Sequence, residues 1–265
     1  MYHLIFVTLT LISFSLNPIL TFSHSFIHQT IKLGDEYDNG YPEERYHKVL
    51  DTVEAVYGPI IAAKGGTLTI LRDFRDGTVN AFAERWGDNY RLEIPGGSSR
   101  YYLFTEEGFI TLICHEMGHL LGGAPVKSKV ISVEGQSDYY STTHCAKKIY
   151  HKLKPYKTYE ITTELENICS LEDDKDACYR LLMGAQSLAN FLAKLEKVDF
   201  PSLSKEDPNV VTRTLSKHPK SQCRLDTMKR GALCHADEED ISFTDPDKGY
   251  CYSPENQRPK CWFKP

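Results

Sequence analysis

One group of residues in this sequence has the types and spacing needed for metal-dependent hydrolysis. Residues 115–119 read HExxH, with His115 and His119 four positions apart and Glu116 between them. On a helix, four residues turn through about 400°, so both imidazoles leave the same face, one turn apart. Such a pair can bind one Zn²⁺, with the glutamate beside it as a general base for the attacking water. We therefore predict that His115 and His119 are metal ligands and that Glu116 is catalytic.

A third ligand is predicted from an ExxxD pattern that follows across a short connection. Glu134 lies fifteen residues after His119, at the start of a predicted helix, and Asp138 lies one turn further along. Glu134 would complete a His₂Glu site. Asp138 would accept a hydrogen bond from the second ring nitrogen of a ligand histidine. An isolated ExxxD is typical of a solvated helix face, but its position after HExxH favours the metal site.

The third candidate element is a histidine followed by proline. His218-Pro219 is expected in an extended or turn conformation, because proline disfavours helix for the residue before it. Its predicted role is catalytic, as a donor to the oxyanion that forms during attack on a peptide carbonyl. Arg224 would hold this loop against a carboxylate, either Asp138 or Glu134. The alternative is that His218 is an ordinary exposed loop residue.

The surrounding sequence predicts an α+β fold with one catalytic domain. The HExxH segment lies in a helix over residues 106–121 that is apolar nearly all round and therefore buried. Thr105 is its expected N-cap, and Gly122-Gly123 is its expected end. We predict a zincin-like arrangement in which this helix packs under a small antiparallel sheet, with additional helices behind it. The other predicted elements are helices over 46–64, 133–153 and 177–195, a strand over 67–71 and a strand pair over 79–94.

The domain organisation follows from composition along the chain. Residues 1–22 are apolar and lack Asp, Glu, Lys and Arg, so we predict a signal peptide over 1–23, with an uncleaved membrane anchor as the alternative. A polar N-terminal arm would span 24–45 and the metallopeptidase domain 46–235. A cysteine-containing C-terminal tail would span 236–265. The chain is therefore expected to be exported, to a periplasm or to the exterior, with no stable membrane insertion after signal removal.

The cysteines agree with export. The chain has 8 Cys, an even number, and none forms a CxxC pair. An exported chain of this kind usually carries disulfides, whose pairing the sequence leaves open. We expect disulfides to hold the tail. Cys114, next to a predicted metal ligand within an apolar helix, is expected to be a buried free thiol.

Composition excludes several function classes. Lys and Arg number 31 against 36 Asp and Glu, for a net charge of -5, so there is no basic excess to bind nucleic acid. The chain has only one long apolar run, which excludes a multi-pass membrane protein. The partner expected from the motifs is instead a polypeptide substrate.

The chain resembles gluzincin metallopeptidases of the HtpX and CAAX-prenyl-protease type. Asn80-Ala81-Phe82-Ala83, HExxH, ExxxD and HPxxxxR occur in the order found in that family, over roughly residues 46–230. The resemblance implies one zinc ion per chain, bound by His115, His119 and Glu134, with Glu116 as general base and His218 stabilising the transition state. It also implies that Asn80, Ala81 and Phe82 lead into an edge strand that binds substrate backbone. The family's frequent transmembrane helices have no counterpart here, so the chain resembles its soluble exported members.

Two readings of function remain in competition. The first is a zinc endopeptidase that binds an extended polypeptide along the edge strand. The second is a non-catalytic, chaperone-like module in which zinc stabilises a polypeptide-binding domain. The presence of Glu116 favours the enzyme, because a module without catalysis has no need of a base at that position.

Overall fold

The computed structural model describes residues 30–265 of the chain. The predicted signal peptide and the first residues of the N-terminal arm, 24–29, lie outside the described residues. No helix within residues 30–265 combines the length and apolarity that spanning a bilayer requires. The part of the arm that is described contributes Ile31 and Tyr41 to the core, and its last three residues already belong to the first helix, which begins at Glu43.

Helices form most of the regular secondary structure within residues 30–265, and the fold is α+β as predicted. A π-helical turn, Ser141–Cys145, connects two of the helices. The helix predicted over 133–153 is therefore a continuous helical segment that contains one π-helical turn. The helices are α1 (Glu43–Ala63), α2 (Gly97–Arg100), α3 (Glu106–Leu121), α4 (Glu134–Tyr140), α5 (Ala146–Lys152), α6 (Thr163–Ile168), α7 (Lys175–Glu196) and α8 (Ser221–Ala232).

The main sheet has three strands and is mixed rather than purely antiparallel. Its strands are β1 (Thr67–Asp73), β2 (Phe82–Trp86) and β3 (Asn89–Pro95), in the order β1-β3-β2. The hairpin β2-β3 is antiparallel, as predicted, but β1 pairs with β3 in parallel. The prediction failed there because β3 inserts between β1 and β2, which themselves run in opposite directions. A second pair, β4 (Val126–Ser128) and β5 (Ile131–Ser132), lies between α3 and α4.

Helix α3 lies at the centre of the molecule. All of its residues are buried, as expected for a helix that is apolar nearly all round. Thr105 caps its N-terminus by accepting a hydrogen bond of 3.1 Å from the backbone N–H of Gly108. The helix packs against α7, α4 and β2. The predicted HExxH residues are therefore held on a rigid element that is surrounded by the rest of the fold.

Close approach of α3 and α4 depends on a glycine inside the HExxH motif. A Cβ added at Gly118 would lie 2.6 Å from the carbonyl oxygen of Ser137 and 2.7 Å from its Cα. These distances are shorter than van der Waals contact, so the α4 backbone occupies the space that any side chain at 118 would need. Because Gly118 lies between the two histidines, the same contact sets the distance of α4 from both.

All eight cysteines form disulfides, which contradicts the prediction of a free thiol at Cys114. Cys114 of α3 is bonded to Cys145 in the π-helical turn, with a Cα–Cα distance of 5.4 Å. The prediction failed because the partner lies in a different helical run, 31 residues away, and is brought into contact only by the packing of α3 on that turn. The remaining disulfides are Cys169–Cys178, Cys223–Cys261 and Cys234–Cys251.

The C-terminal tail is held by two of these disulfides, as expected. Cys261 is bonded to Cys223 and Cys251 to Cys234, and both partners belong to α8 or its end. The tail also adds Trp262 and Phe263 to a second small hydrophobic cluster with Val133. It therefore packs on the main domain through apolar contacts as well as through covalent bonds.

The helix contact at Gly118 can be tested by adding one methyl group. We expect Gly118→Ala to lower the free energy of unfolding of the metal-free protein by about 1–3 kcal/mol, the usual cost of overpacking. Denaturant titration with disulfides intact measures this change. The neighbouring Met117→Leu conserves volume and should cost less than about 1.5 kcal/mol. A Gly118→Ala variant as stable as the wild type would show that α3 and α4 do not depend on this close approach.

Candidate metal centre

Three side chains from two helices meet in the interior. His115 and His119 project from α3, and Glu134 is the first residue of α4. Their side chains are at most 3% exposed. One donor atom from each lies within 4.8 Å of the others, so this group could hold a metal ion. The three residues are those predicted as ligands.

The donor separations suit tetrahedral coordination. His115 Nε2 lies 3.2 Å from Glu134 Oε2, and His119 Nε2 lies 3.5 Å from Glu134 Oε1. Zinc bonds of about 2.0–2.1 Å in a tetrahedron place neighbouring donors about 3.3 Å apart. The two imidazole planes are nearly perpendicular, at 80°, with centroids 4.7 Å apart. Both separations are therefore close to the tetrahedral value, and a tetrahedral ion held by three ligands would keep a fourth position for another ligand.

The ring nitrogens that face away from this point are hydrogen-bonded. His115 Nδ1 lies 2.8 Å from Asp138 Oδ1, the contact predicted for Asp138. His119 Nδ1 donates to the carbonyl oxygen of Ser132 at 2.9 Å, and the Ser137 hydroxyl lies 2.8 Å from the same nitrogen. Hydrogen bonding at Nδ1 leaves Nε2 of each ring as the metal-binding atom, which is the usual arrangement around structural and catalytic metals.

Asp138 is in turn held by Arg224 of α8. Arg224 donates from Nε to Oδ2 and from Nη2 to Oδ1, both at 2.7 Å, in a bidentate pair that is almost fully buried. This settles which carboxylate Arg224 binds: it is Asp138 and not Glu134. The chain of contacts Arg224–Asp138–His115 therefore connects α8 through α4 to a candidate ligand on α3.

The electrostatic environment keeps the acidic members of the group ionised. Burial opposes ionisation of Glu134, but hydrogen bonds from His115 and His218 hold the pKa of its carboxyl well below the usual value. Burial likewise opposes ionisation of Asp138, whose pKa is nevertheless lowered by Arg224 and His115. A buried carboxylate is costly unless paired or metal-bound, so the two acids suit a site that holds a cation.

The two histidines differ in protonation. Burial lowers the pKa of His119 well below its usual value, so this ring is neutral and ready to bind a metal. Burial also lowers the pKa of His115, but Asp138 and Glu134 outweigh it and raise the value to about 9. In the metal-free protein at neutral pH, His115 therefore carries a proton that a metal must displace.

Glu116 lies beside the ligands and is not one of them. It follows His115 on α3, is 5% exposed, and experiences the charges of His115 and Glu134. Burial raises the pKa of its carboxyl to about 7. A carboxyl that titrates near neutral pH is suited to taking up and releasing a proton.

His218 and Lys127 complete the surroundings of Glu134. His218 Nε2 lies 3.2 Å from Glu134 Oε2, with one third of its side chain exposed, so the structure brings this loop histidine to the site as predicted. Lys127 of β4 forms an ion pair with Glu134 from a side chain that is 8% exposed. Glu134 therefore contacts both candidate ligand histidines and two further basic groups.

The predicted substrate-binding residues lie at the start of the edge strand β2. Asn80 and Ala81 are buried immediately before it, and Phe82 is its first residue. The carbonyl oxygen of Asn80 accepts a hydrogen bond from the Ser98 hydroxyl. Within residues 30–265, β2 pairs with β3 alone, so its other edge is unpaired, and the strand packs against α3.

Sequence reasoning missed four residues that shape the site. Lys127 lies in β4 and Ser132 in β5, where no spacing rule marks them. Ser137 is inside the ExxxD motif but was assigned no role. Trp262, which packs against Gly135, the residue after Glu134, carried the one available signal, since it follows a cysteine in the Cys-rich tail and is a large apolar residue in a polar segment.

Comparison with known proteins identifies no similar family, protein or structure. The chain matches no protein-family model, no curated protein and no solved structure.

The protonation of His115 predicts a pH-dependent metal affinity. Because its pKa of about 9 lies above neutral pH, zinc must displace a proton. The association constant should then rise by about tenfold per pH unit between pH 6 and 8. Competition with a chelator whose own affinity is measured at each pH checks this. An affinity that is constant across this range would contradict the protonated state of His115.

The bidentate pair at Asp138 predicts a loss of metal affinity in Arg224→Lys. A lysine offers one point contact in place of two parallel hydrogen bonds, so Asp138 and His115 would be less well oriented. We expect the zinc dissociation constant to rise by about tenfold or more, as for other residues behind metal ligands. The control is Arg230→Lys on the same helix, where Arg230 instead binds Glu206 and the carbonyl of Pro254. Equal zinc affinities in Arg224→Lys and Arg230→Lys would contradict the role of Arg224 in orienting Asp138.

Proposed function

We propose that this protein is a zinc-dependent endopeptidase. The observation that carries the proposal is the buried His115-His119-Glu134 group with Glu116 next to it on the same helix. Two imidazoles and one carboxylate, with a carboxyl beside them whose pKa lies near 7, match the requirements of metal-assisted hydrolysis.

The donor set favours zinc among biological metals. Imidazole nitrogens suit zinc, copper, iron and nickel, whereas magnesium and calcium prefer oxygen ligands only. Donor separations near those of a tetrahedron favour zinc over ions that require square-planar or octahedral geometry. When bound, zinc would supply Lewis-acid chemistry, lowering the pKa of a water and polarising a carbonyl.

Glu116 is the general base in this proposal. It accepts a proton from the attacking water and passes it to the amine of the leaving segment, which requires one carboxyl to gain and lose a proton near neutral pH. Its burial and its position next to His115 support this role. A carboxyl kept out of bulk water by α3 packing transfers that proton within the site.

His218 is proposed as a hydrogen-bond donor to the developing oxyanion. Its side chain is partly exposed while its Nε2 approaches Glu134, so it stands where the interior site meets solvent. A donor at that boundary can reach a substrate carbonyl that enters from outside.

The unpaired edge of β2 is the proposed binding surface for the substrate backbone. An extended polypeptide can add to an exposed strand edge through main-chain hydrogen bonds. The strand packs against α3 and begins at the Asn80-Ala81-Phe82 segment. Such recognition depends on backbone rather than on side chains, which suits an endopeptidase acting on unfolded or flexible segments.

The four disulfides are consistent with an oxidising environment. We propose that the chain is exported, that residues 1–23 are its signal peptide, and that it acts in a periplasm or outside the cell. Under this proposal its substrates are polypeptides of the same compartment.

The general-base role predicts that Glu116→Gln abolishes cleavage while retaining zinc. The amide keeps the shape of the side chain but cannot take up the proton, so kcat/KM should fall by at least about 100-fold. The measurement is mass-spectrometric detection of cuts in a proteome-derived peptide library, with bound zinc determined in parallel. An exposed residue provides the control, since Glu44→Gln on α1 should cleave like the wild type.

The possible outcomes separate the two readings of function. Cuts made by the wild type and by Glu44→Gln but not by Glu116→Gln would support the endopeptidase and report its side-chain preference. Cleavage by Glu116→Gln at the wild-type rate would overturn the general-base role. One zinc per chain with no cuts by any variant would instead favour the zinc-stabilised binding module.

A further inference from the structure

The last residues of the chain lie directly behind the candidate metal centre. We call residues 258–264 the terminal segment. Within this segment Trp262 is fully buried, and its neighbours Cys261 and Phe263 are nearly so. Although the segment is more than 120 positions after Glu134 in sequence, it contacts three of the elements that carry site residues.

The first contact is with the backbone that carries Glu134. A Cβ at Gly135 would lie 2.2 Å from a ring carbon of Trp262, so the indole packs flat against the α4 backbone at the position after the ligand. Val133, the residue before Glu134, belongs to the same apolar cluster. The indole thus supports the chain on both sides of Glu134, and only glycine fits at 135.

The second contact is covalent and reaches the residue beside Arg224. Cys261 is bonded to Cys223 on α8 with a Cα–Cα distance of 5.9 Å. Arg224 follows Cys223 directly and orients Asp138, which in turn binds His115. One disulfide therefore joins the residue next to Trp262 to the residue next to Arg224.

The third contact is with the chain that leads to His218. The backbone N–H of Leu215 donates to the carbonyl oxygen of Trp262 at 2.9 Å, and that of Val211 donates to the carbonyl oxygen of Lys260 at 2.9 Å. Leu215 is three residues before His218. The terminal segment thereby sets the path of the loop that brings this histidine to Glu134.

A fourth interaction fixes the start of the segment. The Arg258 guanidinium, 3% exposed, donates to Gln136 Oε1 at 3.0 Å. Gln136 in turn donates to the carbonyl oxygen of Gly122, at the end of α3. Both helices that supply ligands are therefore connected to the terminal segment by hydrogen bonds.

We propose that Trp262, held by the Cys223–Cys261 disulfide, is a positioning residue for the metal ligand Glu134. The inference rests on the metal site of the proposed function. It adds that the C-terminal tail helps to position the metal ligand Glu134. The indole N–H has no acceptor among residues 30–265, so packing and the adjacent disulfide, rather than a hydrogen bond, hold the ring in place. A ring of similar shape without the N–H should therefore serve equally well.

The test compares zinc affinity in variants of the full chain. We expect Trp262→Ala and the double variant Cys223→Ser/Cys261→Ser each to raise the zinc dissociation constant by about tenfold or more, the usual effect of losing support behind a ligand. Trp262→Phe should stay within about threefold of the wild type, because a ring is retained. Chelator competition measures the constants, and the visible spectrum of the Co²⁺-loaded protein reports the coordination geometry.

A matched control separates positioning from general stability. Cys169→Ser/Cys178→Ser removes the disulfide that joins the end of α6 to α7, and we expect a lower melting temperature with unchanged zinc affinity and Co²⁺ spectrum. Circular dichroism checks that each metal-free variant is folded. If Trp262→Ala is not folded, Trp262→Leu, which keeps an apolar side chain, replaces it with the same expected loss of affinity.

The outcomes are distinct from those of the protease test. Wild-type affinity in the Trp262→Ala or Leu variant, or an equal loss in the Cys169/Cys178 control, would overturn the positioning role. The expected pattern in a protein that binds zinc but cuts no peptide would support the positioning role and contradict the endopeptidase alone. Absence of zinc binding by the wild type would overturn both.

Discussion

The whole site depends on one buried carboxylate, Glu134, placed against two imidazoles. A carboxylate in the interior must be compensated by positive charge or by a cation, because it has lost its hydration. His115 and His119 face it at 3.2 and 3.5 Å, and Lys127 and His218 approach it as well. The packing of α4 on α3, the short β4-β5 pair and the tail all serve to bring these groups to one point.

The residues that contact the candidate ligands all act by restricting the movement of the ligand side chains. Each candidate ligand is held by contacts with another part of the chain. Asp138, itself bound by Arg224, contacts His115. The Ser132 carbonyl accepts a hydrogen bond from His119, and Trp262 packs against Gly135, the residue after Glu134. These contacts are short or fully buried, so they restrict rotation of the candidate ligand side chains in the metal-free protein. Preorganisation of this kind lowers the cost of binding and fixes which ring nitrogen faces the metal.

Much of the fold was predictable because local signals and burial agreed. The apolar run, the Thr105 cap and the Gly122-Gly123 stop predicted α3 correctly, and the strand pair predicted over 79–94 contains the β2-β3 hairpin. Two predictions were wrong for the same reason, which is that pairing between distant segments has no local signal. β3 pairs in parallel with β1, and Cys114 is bonded to Cys145, since each contact is created by packing of whole elements.

The candidate site likewise combines features that have a local sequence signal with features that depend on the packing of distant segments. The donor types and their helical spacing in HExxH and ExxxD could be read from the residues alone, because on a helix the spacing places side chains on one face. The sequence also marked His218 and Arg224 as candidates. Tertiary packing was needed to establish that Arg224 binds Asp138 rather than Glu134, and that Trp262 packs against Gly135, the residue after Glu134. The Arg224–Asp138 contact joins residues 86 positions apart, and the Trp262–Gly135 contact joins residues more than 120 positions apart. Both contacts depend on the close packing of whole elements, for which the local sequence carries no signal.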